Sequence, residues 1–207
     1  MKFGESYKKQ EESFMLNKER VIEILKETDV LQEGHFLLTS GRHSNQYMQC
    51  AKILQYPNYA GEIAKGLAEE FINDQIDVVI GPAMGGIIIA YELARQLNTK
   101  NLFAEREKGI MTLRRGFTIP KGARVLIAED VITTGGSVFE VIDLVKEQGG
   151  KVAGVAVLVD RSNGKIDFGT KLRAALAVDV ISYEATQCPI CREGKLPLVK
   201  PGSRKTS

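Results

Sequence analysis

The chain has 207 residues, of which 43% are hydrophobic and 26% charged, a balance typical of a folded protein and not of a disordered one. Its 28 basic and 26 acidic residues leave a net charge of +2, so the charge gives no general argument for nucleic acid as a partner. Three cysteines do not suggest a disulfide framework, and we find neither a signal-peptide core nor an apolar run long enough to span a membrane. We therefore expect a soluble cytoplasmic protein with no membrane partner.

Short apolar segments alternate with helical patterns along the chain. The pattern predicts helices over 17–28, with Asn17 as the cap, and over 57–71, 85–97 and 137–148, and strands over 76–80, 101–104, 124–128 and 151–159. This alternation indicates an α/β fold, a parallel sheet flanked by helices. We divide the chain into an N-terminal hood segment (1–55), an α/β core (56–181) and a C-terminal extension (182–207). In such sheets ligands bind at the carboxyl ends of the strands.

The sharpest motif follows the apolar strand that begins at Val125. Two acids end the strand, and a glycine-containing turn with small hydroxyl residues leads into a helix. Backbone N–H groups at such a turn bind an anion, while the two carboxylates could accept hydrogen bonds from ribose hydroxyls. The motif lacks the lysine of a P-loop and the spacing of a dinucleotide fingerprint. The predicted sugar-phosphate site is Glu129, Asp130, Val131, Ile132, Thr133, Thr134, Gly135, Gly136 and Ser137.

Residues 125–137 resemble the phosphoribosyl-diphosphate (PRPP) signature of type I phosphoribosyltransferases. The resemblance implies that fold, transfer of ribose 5-phosphate from PRPP to a nitrogen nucleophile, and Mg²⁺ as a cofactor held mainly by PRPP and not by direct protein ligands. It also implies that Ala83, Met84 and Gly85, which follow the first strand of the sheet, hold the pyrophosphate. The better-known family pattern has a lysine at the position of Gly85 and another at the position of Thr39, so this chain departs from the pattern at both positions.

Further segments resemble the orotate phosphoribosyltransferases in particular, in their short-loop bacterial branch. They are 36–44 with Tyr47, 114–117, and Asp160 with Arg161. The resemblance implies orotate as the acceptor, orotidine 5′-monophosphate as the product, and a place in pyrimidine (UMP) biosynthesis. Arginine matches a planar carboxylate well. The implied orotate contacts are Thr133, Arg161, Ser40, Gly41 and Arg42.

A polar segment over 105–115 lies between two predicted strands. It is either a solvated loop or a lid whose cations stabilise the leaving group and exclude water. By resemblance, Arg106 and Lys108 are the catalytic cations of such a lid, beside Asp130 in the site, and the active form is a homodimer with shared sites. The alternatives are a purine-type phosphoribosyltransferase, which would not need Arg161, and a PRPP-fold regulatory protein that binds RNA, for which a basic face is missing.

The pair Cys188 and Cys191 has the spacing of a zinc knuckle. A zinc site normally needs four ligands, and the chain has only one such pair. A site shared between two subunits and a redox pair stay open, but the sequence favours a structural turn with free thiols. His35 and His43, the only histidines, are interpreted as ordinary hydrogen-bonding residues without a catalytic role.

Overall fold

The computed structural model describes residues 18–38, 40–162, 164–178 and 181–201. Its helices are Lys18–Glu27 (α1), Pro57–Glu69 (α2), Gly85–Leu97 (α3), Gly136–Glu147 (α4) and Pro189–Glu193 (α5). Its strands are Leu31–Leu37 (β1), His43–Met48 (β2), Val78–Pro82 (β3), Lys100–Glu107 (β4), Ile110–Leu113 (β5), Arg124–Ile132 (β6), Lys151–Asp160 (β7), Leu172–Ala177 (β8), Ser182–Tyr183 (β9) and Leu198–Val199 (β10). The four predicted helices are found, but the cap residue Asn17 and the motif residue Thr39 lie outside the described residues.

The main sheet has six strands in the order β5–β4–β3–β6–β7–β8, and every neighbouring pair except β4–β5 is parallel. Side chains alternate between its two faces. Leu126 and Ala128 of β6 pack with residues of α1, α2 and α3, whereas Val125 and Ile127 pack with residues of α4. The predicted parallel sheet flanked by helices is therefore confirmed, with one antiparallel strand at its edge. None of the helices in the described ranges is long and apolar enough to cross a membrane.

A second, smaller sheet joins the two ends of the described chain. Its order is β10–β1–β2–β9, so two short C-terminal strands flank the N-terminal hairpin of β1 and β2. His35 of β1 lies opposite Leu198, and His43 of β2 lies opposite Tyr183. The hood is thus built from both ends of the sequence, while α1 packs into the core beside α2 and α3.

Two segments differ from the sequence-based expectation. The polar segment over 105–115 is not a loop but largely a β-hairpin, because β4 continues to Glu107 and pairs with β5. Lys108 and Gly109 form its two-residue turn with φ angles of 52° and 86°, as a type I′ turn requires. Likewise β6 extends past the predicted end at residue 128 to Ile132, which pairs with Asp160. The two acids therefore sit on paired strand and not on a free loop.

Candidate active site

The carboxyl ends of three neighbouring strands meet at one edge of the main sheet. Ile80 of β3 lies opposite Ile127 of β6, and Ile132 of β6 lies opposite Asp160 of β7. The segments after these strands are polar or glycine-rich, which is the arrangement of a ligand site in a parallel sheet.

The turn between β6 and α4 forms a cleft of about 370 Å³. Gly135 precedes α4 with φ of 75°, and a Cβ there would lie within 3.0 Å of the Phe168 ring, so only glycine fits. Among the residues that the structure describes, no side chain caps α4, so the first N–H groups of the helix can bind a ligand. The cleft is lined by Arg106, Glu129, Val131, Ile132, Thr133, Thr134, Gly135, Gly136, Ser137, Val138 and Glu140.

Glu129 lines this cleft, and Asp130, the next residue of β6, lies in a different environment against Gly85. Glu129 is buried and Asp130 half-buried. The backbone N–H of Asp130 donates to Oε1 of Glu129 at 3.0 Å, and the N–H of Val131 donates to Oδ1 of Asp130 at 2.9 Å. Burial, followed by the nearby Asp130 carboxyl, raises the pKa of Glu129 well above its ordinary range.

Glu129 is expected to make the folded protein less stable as the pH rises. A carboxyl whose folded-state pKa is raised contributes its full stability below the unfolded-state value, and that contribution is lost as the pH rises to the folded-state pKa. Glu129→Gln cannot ionise, so its melting temperature should exceed that of the unmodified chain by a margin that grows between pH 5 and pH 8. For a chain of this size each kcal/mol corresponds to roughly 2–4 °C.

The exposed Glu147 on α4 offers a matched control, because Glu147→Gln makes the same chemical change at a position on the surface. Thermal unfolding of the three proteins across the pH series measures this. A Glu129→Gln margin that is the same at pH 5 and pH 8 would show that the carboxyl is not held protonated by the fold.

The turn after β3 packs directly onto the two acids. A Cβ on Gly85 would lie within 3.0 Å of all three carboxyl atoms of Asp130, and one on Gly86 would lie 3.3 Å from Oε1 of Glu129. The peptide between Ala83 and Met84 is cis. Because the Asp130 carboxyl covers the Cα of Gly85, a lysine would not fit at this position in this arrangement.

Arg161 follows β7 and lies next to the turn between β6 and α4. Its backbone N–H donates to the carbonyl of Ile132 at 2.9 Å, which brings it beside Thr133. Asp160 is 2% exposed and accepts hydrogen bonds from the N–H and Oγ of Ser162 and from the N–H of Gly164, so it fixes the turn that carries Arg161. Nε of Arg161 is buried and has no hydrogen-bond partner among the described residues.

Only one of the two predicted lid cations reaches the cleft. Arg106 forms a two-point ion pair with Glu140 of α4, with Nη2–Oε1 at 2.6 Å and Nε–Oε2 at 3.2 Å. Lys108 is exposed at the hairpin tip and does not line the cleft of its own chain. Sequence reasoning missed Glu140, although an acid on the helix that follows the glycine-containing turn was a usable signal.

The predicted Ser40-Gly41-Arg42 turn connects β1 to β2. Gly41 has φ of 81°, and the Leu38 N–H donates to the Arg42 carbonyl at 2.8 Å. The Arg42 guanidinium is engaged by the C-terminal segment: it donates to Oγ and the carbonyl of Ser182, both at 2.8 Å, and pairs with Glu184. Its assignment as an orotate contact stays a prediction.

Cys50 is a further polar group near the site that the sequence did not single out. It is 3% exposed, and burial raises the pKa of its thiol to about 12; the smaller effect of Asp130 also raises this pKa, whereas Arg161 lowers it. The thiol therefore stays protonated at neutral pH and is not a nucleophile.

An anion-binding helix start preceded by strand-borne acids, on a parallel sheet of this order, defines the class of type I phosphoribosyltransferases. Residues 50–169 match the model of the phosphoribosyl transferase domain. The orotate phosphoribosyltransferase of Caldanaerobacter subterraneus subsp. tengcongensis is 58% identical over 190 residues, which cover 92% of this chain and all of the relative. That of Caldicellulosiruptor bescii is also 58% identical, with the same coverage.

A crystal structure of orotate phosphoribosyltransferase from Aeropyrum pernix agrees with these relatives. It superposes with a TM-score of 0.65 at 28% identity, covering 76% of this chain and 93% of that one. The chain belongs to the orotate phosphoribosyltransferase family. The predicted fold and family are thereby confirmed.

Proposed function

We propose that the chain transfers ribose 5-phosphate from PRPP to orotate, giving orotidine 5′-monophosphate and pyrophosphate for pyrimidine (UMP) biosynthesis in the cytoplasm. The observation that supports orotate as the acceptor is the state of Arg161. Its buried Nε lacks a partner among the described residues, and the residue lies beside the turn between β6 and α4. A buried donor without an acceptor is costly, and a ligand carboxylate removes that cost.

The ribose 5-phosphate half of PRPP occupies the cleft between β6 and α4. The 5′-phosphate accepts hydrogen bonds from the backbone N–H groups over Thr134 to Ser137, at a helix start that favours negative charge. The side chains of Glu129 and Asp130 then accept hydrogen bonds from the ribose hydroxyls. Support comes from the position of both acids at the end of β6, just before the turn, and from their backbone contacts.

The pyrophosphate of PRPP lies against the turn of Ala83, Met84 and Gly85. The Asp130 carboxyl that covers Gly85 suits the oxygen-ligand preference of Mg²⁺, and the ion would lie beside this carboxyl while oxygens of PRPP supply most of its ligands. When bound, Mg²⁺ would neutralise part of the negative charge on the pyrophosphate leaving group. Arg106, on the rim of the cleft, exchanges Glu140 for a phosphate oxygen of the substrate.

The reaction is a displacement at the anomeric carbon. The bond from an orotate ring nitrogen to this carbon forms while the bond to the pyrophosphate oxygen breaks, and the electron pair leaves with pyrophosphate. Orotate enters as an anion, so the protein needs neither a strong base nor a covalent nucleophile, and Cys50 stays a neutral thiol. The residues of the site act by positioning the substrates and by electrostatic stabilisation.

A homodimer with shared sites is the proposed active form. Met84, Ile88 and Tyr91 follow one another at helical spacing and are 82%, 43% and 57% exposed. An exposed apolar stripe next to the pyrophosphate turn fits burial against a second copy. Lys108, which does not line its own chain's cleft, would then serve the neighbouring site.

Gly85→Ala is expected to lower kcat/KM by about 10- to 100-fold, since a 1 Å misplacement of a catalytic group costs that order of rate. The added methyl would displace the Asp130 carboxyl or the turn itself. Gly61→Ala on α2 is the matched control, because its Cβ meets only the ends of the flexible Arg95 and Glu92 side chains. Steady-state kinetics at varied PRPP measures both. Equal activities of the two variants would refute the close approach of Asp130 to this turn.

The decisive assay follows the loss of orotate absorbance in the presence of PRPP and Mg²⁺. Parallel reactions replace orotate with adenine, guanine or hypoxanthine, and pyrophosphate release is measured in all of them. We expect turnover with orotate alone. Turnover with a purine base and none with orotate would refute orotate as the acceptor but not the PRPP site. No release of pyrophosphate in any reaction would refute the proposed transferase activity.

A further inference from the structure

Four side chains from opposite ends of the chain come together between the β1–β2 hairpin and the segment around α5. His35 and His43 come from β1 and β2, while Cys188 precedes α5 and Cys191 lies within it. Nε2 of His35 lies 3.0 Å from Nδ1 of His43 and 3.5 Å from each cysteine sulfur, and Nδ1 of His43 lies 3.3 Å from the Sγ of Cys191. All four ligand atoms are within 4.8 Å of one another.

Four of the six distances between the ligand atoms are close to the edges of a tetrahedron around one metal ion, and the other two are at most 4.8 Å. With Zn–N of about 2.05 Å and Zn–S of about 2.3 Å, the edges of a tetrahedral His₂Cys₂ site are about 3.3 Å between nitrogens and about 3.6 Å between nitrogen and sulfur. The observed edges of 3.0, 3.3, 3.5 and 3.5 Å are close to these values. A hydrogen-bond network alone does not require four such atoms to surround one point.

The far side of His35 carries the contact that a metal-bound histidine needs. Its Nδ1 lies 3.3 Å from the carbonyl of Leu196, to which it can donate when Nε2 faces the cluster. Metal-ligating histidines usually donate their other ring nitrogen in this way, which fixes the ring and the free lone pair. The acceptor belongs to the same C-terminal segment as the two cysteines.

The C-terminal segment has little else to hold it. Across 184–201, all of which the structure describes, Cys188 is the only buried residue. Leu196, Leu198 and Val199 are about half exposed, and each of β9 and β10 is only two residues long. A segment that buries so little apolar surface needs another source of stability, and a structural metal is one of the usual ones.

We propose that His35 Nε2, His43 Nδ1, Cys188 Sγ and Cys191 Sγ bind one Zn²⁺, which ties the C-terminal segment to the β1–β2 hairpin. Two thiolates and two imidazoles in tetrahedral arrangement select zinc, and four protein ligands leave no open position, so the site is structural. Binding releases the two thiol protons to solvent. The main rival is a redox pair in which Cys188 and Cys191 form a disulfide.

The zinc would also organise the turn that carries Ser40 and Arg42. His43 directly follows Arg42, and Arg42 is held by Ser182 and Glu184 of the segment that the metal anchors. Loss of zinc should therefore raise the KM for orotate more than it lowers kcat. This one consequence rests on the proposed function, whereas the metal site does not.

Metal analysis of the untagged full-length protein tests the site. We expect about one zinc per chain, and below about a tenth of that in Cys188→Ser/Cys191→Ser, because structural zinc binding needs all four ligands. Cys50→Ala removes the third, distant thiol and should keep the full zinc content. Zinc retained by the double variant, or an unmodified protein that neither contains zinc nor takes it up on titration, would overturn the proposal.

A second measurement on the unmodified protein covers the case in which the variants fail to fold. Removal of the metal by a chelator under reducing conditions should lower the melting temperature, and one equivalent of Zn²⁺ should restore it. Co²⁺ added instead should give the absorption of tetrahedral thiolate-bound cobalt. An unchanged melting temperature, or mass spectrometry of the isolated protein showing a Cys188–Cys191 disulfide, would contradict zinc. These readouts do not depend on orotate, so a failed orotate assay with zinc present would count against the proposed function alone.

Discussion

Replacing Arg161 with alanine is expected to raise the KM for orotate by about 100-fold, equivalent to about 2.7 kcal/mol, while the KM for PRPP changes little. The reason is the state of this side chain without substrate. Its Nε is buried and lacks a partner among the described residues, and its backbone N–H is bonded to Ile132, next to the turn between β6 and α4. The residue is half-buried and its Nε is already desolvated, so a planar carboxylate that pairs with the guanidinium fork gives this donor the acceptor that it lacks.

The lysine variant and a distant arginine sharpen this prediction. Arg161→Lys keeps the charge but not the two-point geometry, so it should recover only part of the orotate affinity. Arg173→Ala on β8 removes an exposed arginine that pairs with Glu70, and it should leave both KM values unchanged. Steady-state kinetics with each substrate varied in turn measures all three. An orotate KM for Arg161→Ala within a few-fold of the unmodified enzyme would remove Arg161 from the acceptor site.

The fold was predictable because its signals are local in sequence, and the position of the proposed phosphate site follows from the same local signals. The strand, two acids, hydroxyl residues and glycines of 125–137 are contiguous, and a parallel sheet places them at its carboxyl edge. The end of β6 was placed too early because pairing with β7, and not the composition of β6 itself, carries the strand to Ile132. The β4–β5 hairpin was missed for a similar reason: its turn, Lys108 and Gly109, lacks the Asn-Gly or Asp-Gly signal of a tight hairpin.

Contacts between distant segments were not readable from one sequence. His35 and Cys188 are 153 positions apart, and nothing in the spacing of either pair indicates that β1, β2 and α5 meet. The same holds for Arg42, whose motif pointed to a ligand, while its guanidinium is engaged by Ser182 and Glu184. Both cases arise in the hood, where a small sheet is assembled from the two ends of the chain.

Asp130→Asn is expected to lower kcat/KM by about 1000-fold, the order of magnitude typical of removing a preorganised electrostatic contact to a transition state. The substitution preserves size, and an asparagine oxygen can still accept the Val131 N–H, so the backbone at the strand end should not move. The carboxylate charge between the ribose position and the turn of Ala83 to Gly85 is lost. Both kcat and the affinity for PRPP should decrease, because in the proposed complex the Asp130 carboxylate faces the reacting half of PRPP.

The matched control is Asp143→Asn, which makes the identical chemical change at an exposed position of α4 and should retain full activity. The stability of Asp130→Asn should be equal to or above that of the unmodified protein, because the Asp130 carboxyl is one of the causes that disfavour ionisation of buried Glu129. Low activity with an undiminished melting temperature separates a functional role from a folding role. If Asp130→Asn kept kcat/KM within about 3-fold, the electrostatic role would be refuted and Glu129 would become the carboxylate that binds the ribose.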